Sequence, residues 1–287
     1  MDATSLAAAE AWFSRYSNFD VAYLQAHLVR FGRTFDFAQE NLGKPSKVLD
    51  IGCHWLHQSW FFAKAGHQVT GADAPNTLRI DDVQAAAKEL GISLVTYTRL
   101  DLGQGLADLP DNEFDMIVFG EIIEHLAFNP LVFWKQVYRI LCPGGRIVVT
   151  TPNSVYYQRV ASRLSGLIHS GVYGIDVDDI FSAGTYGHHW KEFSIPELHQ
   201  YFERMSPDFC IRRYSVETFG RCEKEERLIA AEVAAQLRVT TPEVDLNAVL
   251  SRLDSDGRQP YGSQILLEVQ LLEKLSGISL SPPWLVE

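Results

Sequence analysis

The chain has 287 residues, of which 46% are hydrophobic, enough for one large core with an appendage. Its formal net charge of -11 argues against nucleic acid as a partner, because such a surface repels phosphates. No apolar run reaches the roughly 18 residues of a membrane span, and residues 1–5 lack the order of a signal peptide. Four scattered cysteines without a CxxC pair fit a reducing compartment. We therefore expect a cytoplasmic protein that acts on a small molecule or a glycan.

Apolar periodicity predicts helices and strands in alternation. Residues 5–41 carry apolar side chains at three- and four-residue intervals, which predicts two helices. Beyond them, buried strands alternate with helical stretches, as is typical of a parallel sheet with helices on both faces. Ser194 and Glu197 form a capping box that predicts the start of a later helix. The predicted strands are 47–51, 67–73, 92–97, 114–119, 146–150, 209–219 and 264–271.

Two acidic residues end the first two predicted strands. Asp50 is followed by Gly52 and a turn, and Asp73 comes 23 residues later, the spacing of one strand–helix–strand unit. The carboxyl ends of such strands usually bind the ligand of an α/β sheet. An acid at the end of the second strand can accept hydrogen bonds from both hydroxyls of a ribose. The sequence therefore predicts a cofactor that contains a nucleoside.

A third group of polar residues follows the fourth predicted strand. If this segment is helical, Glu121, Glu124 and His125 share one face at positions i, i+3 and i+4. Two carboxylates and an imidazole at the ligand edge of a sheet can hold a divalent cation. In the alternative interpretation, His125 is a histidine of the core and Glu121 contacts the cofactor.

Five segments follow one another along the chain in a characteristic order, namely KVLDIGC, HQVTGAD, FDMIVFGEIIEHL, LCPGGRIVVTTPN and HHWKEFSIPEL. Together they resemble the class I S-adenosylmethionine-dependent methyltransferases, and most of all the branch that contains the ubiquinone-pathway O-methyltransferases. The resemblance covers residues 45–220 and 263–273. It implies a doubly wound, Rossmann-like α/β fold with a seven-stranded, mostly parallel sheet whose last strand is antiparallel. It also implies S-adenosylmethionine as the cofactor.

The resemblance also divides the chain. Residues 1–42 form an N-terminal helical arm outside the family core. Residues 43–220 are the expected methyltransferase core, in which the irregular stretch at about 153–190 is typical of a lid. Residues 221–287 are expected to hold a helical insertion and the last strand of the sheet.

The cofactor contacts are carried over residue by residue. The resemblance implies that Asp50 and Gly52 lie beside the amino acid part of the cofactor and that Asp73 binds the ribose. Asp101 would accept the adenine amino group, with the backbone of Leu102 as the neighbouring contact. Glu121 is a further candidate for cofactor binding in this resemblance.

One departure from the family concerns the glycine-rich turn. The family pattern is Gly-Cys-Gly-x-Gly, whereas this chain has His54 and Leu56 at the second and third glycine positions. Glycines there allow close approach of the backbone to the cofactor. Either the turn takes another path, with Gln58 or Ser59 holding the methionine carboxylate, or cofactor binding has been lost.

A later histidine extends the metal hypothesis. The ubiquinone-pathway enzymes and the small-RNA 3′-terminal 2′-O-methyltransferases carry the ExxEH pattern together with a later histidine, here His189. The resemblance implies Mg²⁺ or another divalent cation on Glu121, Glu124, His125 and His189, with His188 as an alternative ligand. Without a metal, His125 or His189 would be the catalytic base toward a hydroxyl.

We therefore expect a methyltransferase that moves the methyl group of S-adenosylmethionine to a hydroxyl of a small molecule, a sugar or a natural product. A first alternative is RNA 2′-O-methylation, which shares the same four residues but conflicts with the negative charge. A second alternative is a non-catalytic binding or scaffold protein on a degenerate methyltransferase fold, motivated by the missing glycines.

Overall fold

A computed structural model describes residues 3–17, 19, 21–43, 45–156, 187–219 and 262–278, together with 159, 160, 163, 167, 171, 175 and 177–182. The predicted helical insertion at 221–260 lies outside the described residues. The described part forms a seven-stranded sheet in the order β3-β2-β1-β4-β5-β7-β6. Its strands are β1 Lys47–Ile51, β2 Gln68–Asp73, β3 Ser93–Thr96, β4 Phe114–Gly120, β5 Leu141–Pro152, β6 Phe209–Glu217 and β7 Gln264–Leu271.

Helices cover both faces of this sheet. Two short 3-10 turns, Leu100–Leu102 and Ile123–His125, follow β3 and β4. Within the described ranges, no helix combines the length and the apolar character needed to cross a membrane. The helices are α1 Ala3–Phe13, α2 Val21–Gln39, α3 His57–Lys64, α4 Pro75–Leu78, α5 Asp81–Leu90, α6 Leu131–Ile140, α7 Val177–Ser182 and α8 Ile195–Met205.

Strand directions confirm the predicted fold class. β1, β2, β3, β4 and β5 pair in parallel, whereas β7 is antiparallel to both of its neighbours. The capping box of α8 is confirmed as well, since Ser194 accepts from the Glu197 N–H and Glu197 accepts from the Ser194 N–H. The turn predicted at Pro143–Gly145 interrupts the pairing of β4 with β5, which resumes at Met116 and Arg146.

The order of strands explains where a ligand can bind. From β1 the chain moves outward to β2 and β3, and it then returns to the other side of β1 with β4. At such a switch point the helices leave β1 and β4 on opposite faces, which opens a crevice at their carboxyl ends. The segments that follow β1, β2 and β4 therefore form the walls of this crevice.

Alternating side chains divide the core into two clusters, one on each face of the sheet. Leu49, Ile117 and Ile147 belong to the cluster under α6 and α8. Val48 and Val118 belong to the other cluster, which lies under α1, α2 and α3. Because successive strand residues face opposite ways, Asp50 lies on the same face as Val48.

Helix α2 crosses the sheet on this second face and is held there by charge as well as by apolar contacts. Glu268 of β7 is fully buried and pairs with Arg146 of β5 and Arg213 of β6. Arg213 also donates to the carbonyl oxygen of Phe37 in α2, and its guanidinium lies 4.0 Å from the centre of the Phe37 ring. Glu268 thus links three strands to the helix that covers them.

The turn between β1 and α3 is left-handed at three positions. Gly52, His54 and Leu56 have φ angles of 77°, 46° and 66°. A Cβ on Gly52 would lie 2.2 Å from Cδ1 of Ile122, so this position requires glycine. His54 and Leu56 thus adopt the left-handed conformation that glycine normally adopts. This conformation costs a residue with a Cβ about 1–2 kcal/mol.

We predict that Glu268→Ala destabilises the fold by roughly 3 kcal/mol, because it leaves two arginines without their shared carboxylate at a buried position. Urea unfolding monitored by circular dichroism measures this loss. The control is Glu113→Ala, which breaks the exposed ion pair with Lys47 and should cost less than about 1 kcal/mol. Equal losses in the two variants would show that Glu268 has no special role.

We further predict that His54→Gly is more stable than His54→Ala by about 1 kcal/mol. Both variants lose the imidazole, and only alanine retains the left-handed strain. Thermal unfolding of the two proteins measures the difference. Alanine usually stabilises relative to glycine, so a more stable His54→Ala would mean that the backbone at this position is not strained.

Candidate functional site

A cleft of about 450 Å³ lies at the carboxyl ends of β1, β2, β4 and β5. This volume is within the range of about 300–1,000 Å³ of small-molecule sites. Five predicted cofactor residues line it, namely Asp50, Gly52, Gln58, Asp73 and Glu121.

Asp73 is fixed at the end of β2 by the backbone. One of its carboxylate oxygens accepts from the N–H of His54 at 2.7 Å, and the other accepts from the N–H of Ala74 at 2.6 Å. Each oxygen keeps a second lone pair. Asp73 therefore joins the turn after β1 to the end of β2 and can still accept hydrogen bonds from a pair of hydroxyls.

Asp50 lies deeper in the same cleft. It is buried, and the hydroxyl of Ser59 donates to its Oδ2 at 2.6 Å. Burial raises the pKa of Asp50 to about 7, although the Ser59 hydroxyl opposes the shift. Ser59 is itself fully buried, and its hydroxyl proton is already donated to Asp50. Ser59 is therefore poorly placed to bind a ligand carboxylate.

The other candidate for that carboxylate, Gln58, is engaged by the N-terminal helix. Its side-chain nitrogen donates to the carbonyl oxygen of Phe31 at 3.2 Å. Gln58 thus anchors α2 to α3 at the edge of the cleft. This bond uses one of the two amide N–H groups of Gln58, and the other remains a donor that a ligand carboxylate could accept.

Helix α2 contributes a wall that the sequence interpretation placed outside the core. The cleft is lined by Tyr23, Arg30, Phe31 and Thr34 of this helix. Arg30 is buried, and its Nη1 lies 3.0 Å from Oε2 of Glu121. A signal was present in the sequence, since the spacing i, i+4, i+7 and i+11 places Tyr23, His27, Arg30 and Thr34 in one polar stripe along the helix.

The segment after β3 differs from the expectation. Both oxygens of Asp101 accept from Arg99, at 2.8 and 2.6 Å, and Asp101 is not part of the cleft wall. Tyr97 and Leu100 line the cleft there instead. The side chain of Leu102 lies outside the described part of the structure, although its backbone belongs to the 3-10 turn.

Glu121 does not share a helical face with Glu124 and His125. Its φ angle is 55°, and the 3-10 turn begins only at Ile123. The Glu121 carboxylate accepts from the Thr150 hydroxyl at 2.9 Å and pairs with Arg30. The helix assumed for Glu121–His125 is therefore wrong at its first residue, because the chain must turn sharply as it leaves β4.

The remaining three predicted ligands come together. Potential ligand atoms of Glu124, His125 and His189 all lie within 4.8 Å of one another, the one such group among the described residues. Glu124 is fully buried, and its Oε2 accepts from the Thr151 hydroxyl at 2.9 Å. Its Oε1 has no hydrogen-bond partner and lies 4.0 Å from Nε2 of His125. Burial, and then the charge of Glu121, raise the pKa of Glu124 well above its usual value.

His125 presents a lone pair to this group. Its Nδ1 lies 2.9 Å from the carbonyl oxygen of His188, which can only accept, so Nδ1 carries the proton. Burial, followed by the neighbouring His189, lowers the pKa of His125 and keeps the imidazole neutral at pH 7. His188 contributes its backbone here, and its ring is not part of the group.

Comparison with known proteins supports the resemblance seen in the sequence. Residues 49–149 match the family described as "Methyltransferase domain". The ubiquinone biosynthesis O-methyltransferase of Rhizobium leguminosarum is 35% identical over 162 residues, which cover 53% of this chain and 62% of that protein. The enzyme of the same name from Rhizobium etli is 34% identical over 156 residues, 51% of this chain and 60% of that one. The chain thus spans about three fifths of these relatives.

Solved structures show the same fold. An S-adenosylmethionine-dependent methyltransferase from Methanosarcina mazei superposes with a TM-score of 0.51 at 16% identity, over 83% of this chain and 98% of that one. Another from Archaeoglobus fulgidus gives 0.50 at 14% identity, over 88% and 100%. Residues 49–149 are thus similar to a methyltransferase domain, and the solved structures confirm the Rossmann-like fold.

Proposed function

We propose that this protein transfers the methyl group of S-adenosylmethionine to a hydroxyl of a small-molecule acceptor, with the help of a divalent cation. The observation that carries the proposal is the continuity of two sites. The cleft that holds Asp50, Asp73 and Arg30 also contains His125, which belongs to the group with Glu124 and His189.

The charges in the cleft fit the cofactor. S-adenosylmethionine carries a sulfonium, an ammonium and a carboxylate, so it needs a cleft with both signs of charge. Asp50 and Asp73 supply the negative charge, and Arg30 supplies a buried guanidinium that can bind a carboxylate in a bidentate manner. The ammonium group of the cofactor, if it lies beside Asp50, would favour the ionised form of this carboxyl group against the effect of burial.

The donor set of the second group fits a divalent cation. One carboxylate oxygen of Glu124 is buried without a hydrogen-bond partner, which costs about 1–3 kcal/mol unless something else binds it. Neutral imidazoles and carboxylates are ligands that Mg²⁺, Mn²⁺ and Zn²⁺ accept to different degrees. Glu124, His125 and His189 would hold such an ion, and Glu121 would join them only by leaving Arg30.

The residues of the chain then have distinct tasks. S-adenosylmethionine would supply a methyl group on a positively charged sulfur. The divalent cation would act as a Lewis acid that lowers the pKa of the acceptor hydroxyl. Asp73 would hold the ribose and Arg30 the carboxylate of the cofactor, and these two contacts would position its methyl group. The Nε2 lone pair of His125 can accept the hydroxyl proton when it is not engaged by a metal.

The net charge of the protein favours a small molecule over a nucleic acid as the methyl acceptor. The net charge of -11 is opposite to what a polyanionic RNA needs, so a small molecule, a sugar or a natural product is the better match. The relatives named as ubiquinone biosynthesis O-methyltransferases support oxygen as the atom that is methylated.

We predict that S-adenosylhomocysteine binds the protein in calorimetric titration and that Arg30→Leu weakens the binding roughly 10- to 100-fold, because a charge-assisted hydrogen bond is lost. The matched control is Arg33→Leu on the same helix, which faces solvent and pairs with Glu217. It should bind within about twofold of the wild type. Circular dichroism checks that both variants are folded.

Absence of binding to the wild-type protein, with an unchanged melting temperature, would overturn the proposal. The scaffold interpretation would then apply, since the strained turn at His54 and Leu56 would no longer serve a cofactor.

We predict that Co²⁺, used as a spectroscopic substitute for the cation, binds the wild-type protein and that His189→Ala weakens this binding at least tenfold. His188→Ala is the matched control, since its ring lies outside the group, and should have no effect. Glu121→Gln distinguishes a site with three protein ligands from a site with four, because this substitution changes the Co²⁺ affinity only if Glu121 is itself a ligand. Full methyl transfer in the presence of a chelator would exclude a metal-assisted reaction.

A further inference from the structure

A carboxylate lies directly behind the most exposed member of the metal-ligand group. Glu192 is buried, and its Oε1 lies 3.0 Å from Nδ1 of His189. The same carboxylate pairs with Arg159 and, through Oε2 at 2.6 Å, with Arg163. Glu192 is neither one of the four expected ligands nor part of the cleft wall, yet this one buried acid serves two arginines and a histidine.

The contact determines which nitrogen of His189 carries the proton. A carboxylate flanked by two guanidinium groups is ionised and can only accept hydrogen bonds. In the neutral imidazole of His189, Nδ1 therefore carries the proton and Nε2 keeps its lone pair. His125 reaches the same state by a different route, since its Nδ1 donates to the His188 carbonyl. Both imidazoles are thus prepared to bind through Nε2.

His189 needs such support more than the other two ligands do. Its side chain is 39% exposed, whereas that of Glu124 is fully buried and that of His125 is 18% exposed. Burial and packing hold Glu124 and His125, but an exposed imidazole on a segment outside any helix or strand can rotate and can exchange tautomers freely. The two rings stand 4.7 Å apart at an angle of 83°, an orientation that rotation of His189 would destroy.

We propose that Glu192 is a positioning residue, which fixes the tautomer and the orientation of His189 so that its Nε2 can complete the metal site. The proposal rests on the metal-assisted function proposed above. It gives Glu192 the role that a carboxylate behind a metal-binding histidine has in general, namely to fix the ring and raise its basicity as a ligand.

Through their ion pairs, Arg159 and Arg163 connect Glu192 to another part of the chain. Arg159 and Arg163 come from the segment that follows β5, whereas Glu192 precedes α8. A backbone link runs in parallel, because the N–H of Ser154 donates to the carbonyl oxygen of Phe193 at 3.0 Å. The position of His189 therefore depends on how the start of the predicted lid packs against Glu192.

The test compares Glu192→Ala and Glu192→Gln with the wild type and with the control Glu217→Gln, which weakens a carboxylate–arginine pair elsewhere. Nitrogen-15 NMR of the histidine side chains, recorded without metal, reports the tautomer of His189. We expect the Nδ1–H form in the wild type and in Glu217→Gln, and a mixture of tautomers in Glu192→Ala. Co²⁺ affinity should fall roughly 10- to 100-fold in Glu192→Ala, and less in Glu192→Gln, whose amide oxygen can still accept from Nδ1.

Two results would overturn the proposal in different ways. An unchanged His189 tautomer and unchanged Co²⁺ affinity, together with a lower melting temperature in Glu192→Ala, would give Glu192 a purely structural role and leave the metal site intact. Failure of the wild-type protein to bind Co²⁺ would end the metal-assisted function and with it the role of Glu192 toward a metal. S-adenosylhomocysteine affinity, measured in parallel without metal, should not change in any of these variants.

Discussion

The ion pair between Arg30 and Glu121 is the interaction on which the shape of the cleft depends. It joins α2, which belongs to the N-terminal arm, to the sharp turn that leaves β4 at the switch point of the sheet. Both side chains are largely removed from water, and the 3.0 Å contact compensates their desolvation only in this geometry. Without it, Arg30 and Glu121 would each lose a charged partner at a largely buried position, and α2 would lose its direct link to the turn after β4.

Backbone strain is concentrated around the same place. In the part of the chain that the structure describes, three of the four non-glycine residues with positive φ border the cleft or its turn, namely His54, Leu56 and Glu121. Strain of this kind persists only where the surrounding structure imposes it, and such positions cluster at ligand sites. The observation argues against a degenerate fold, because a protein released from binding a cofactor would have no need to retain left-handed conformations at residues that resist them.

The sequence predicted the fold well because the fold follows from patterns that are local and repeated. Strands β2, β4 and β5 end at an aspartate, a glycine and a proline, and the strand–helix alternation allows few topologies. Asp50 and Asp73 were also predicted correctly as residues of the cleft, since the ends of parallel strands meet at one edge of the sheet. The position of Asp101 was not, because a single arginine two residues away holds it off the cleft wall.

Other parts of the site depended on contacts between distant segments. The contribution of α2 could not follow from the family pattern, which begins after it, although the polar stripe from Tyr23 to Thr34 marked one face as special. The departure of Glu121 from its two neighbours could not be predicted either. Helical spacing suggested a common face, whereas the turn at the end of β4 gives Glu121 a left-handed backbone and directs it to Arg30.

Glu121 therefore has two possible partners that exclude each other. While it pairs with Arg30, it does not belong to the group formed by Glu124, His125 and His189. If Arg30 turns to the carboxylate of a bound cofactor, Glu121 loses its cation and becomes an unpaired, partly buried charge, which is costly. A divalent cation at the neighbouring group would relieve that cost. Under the proposed function, the two ligands would then favour each other's binding, and by linkage the effect would be equal in both directions.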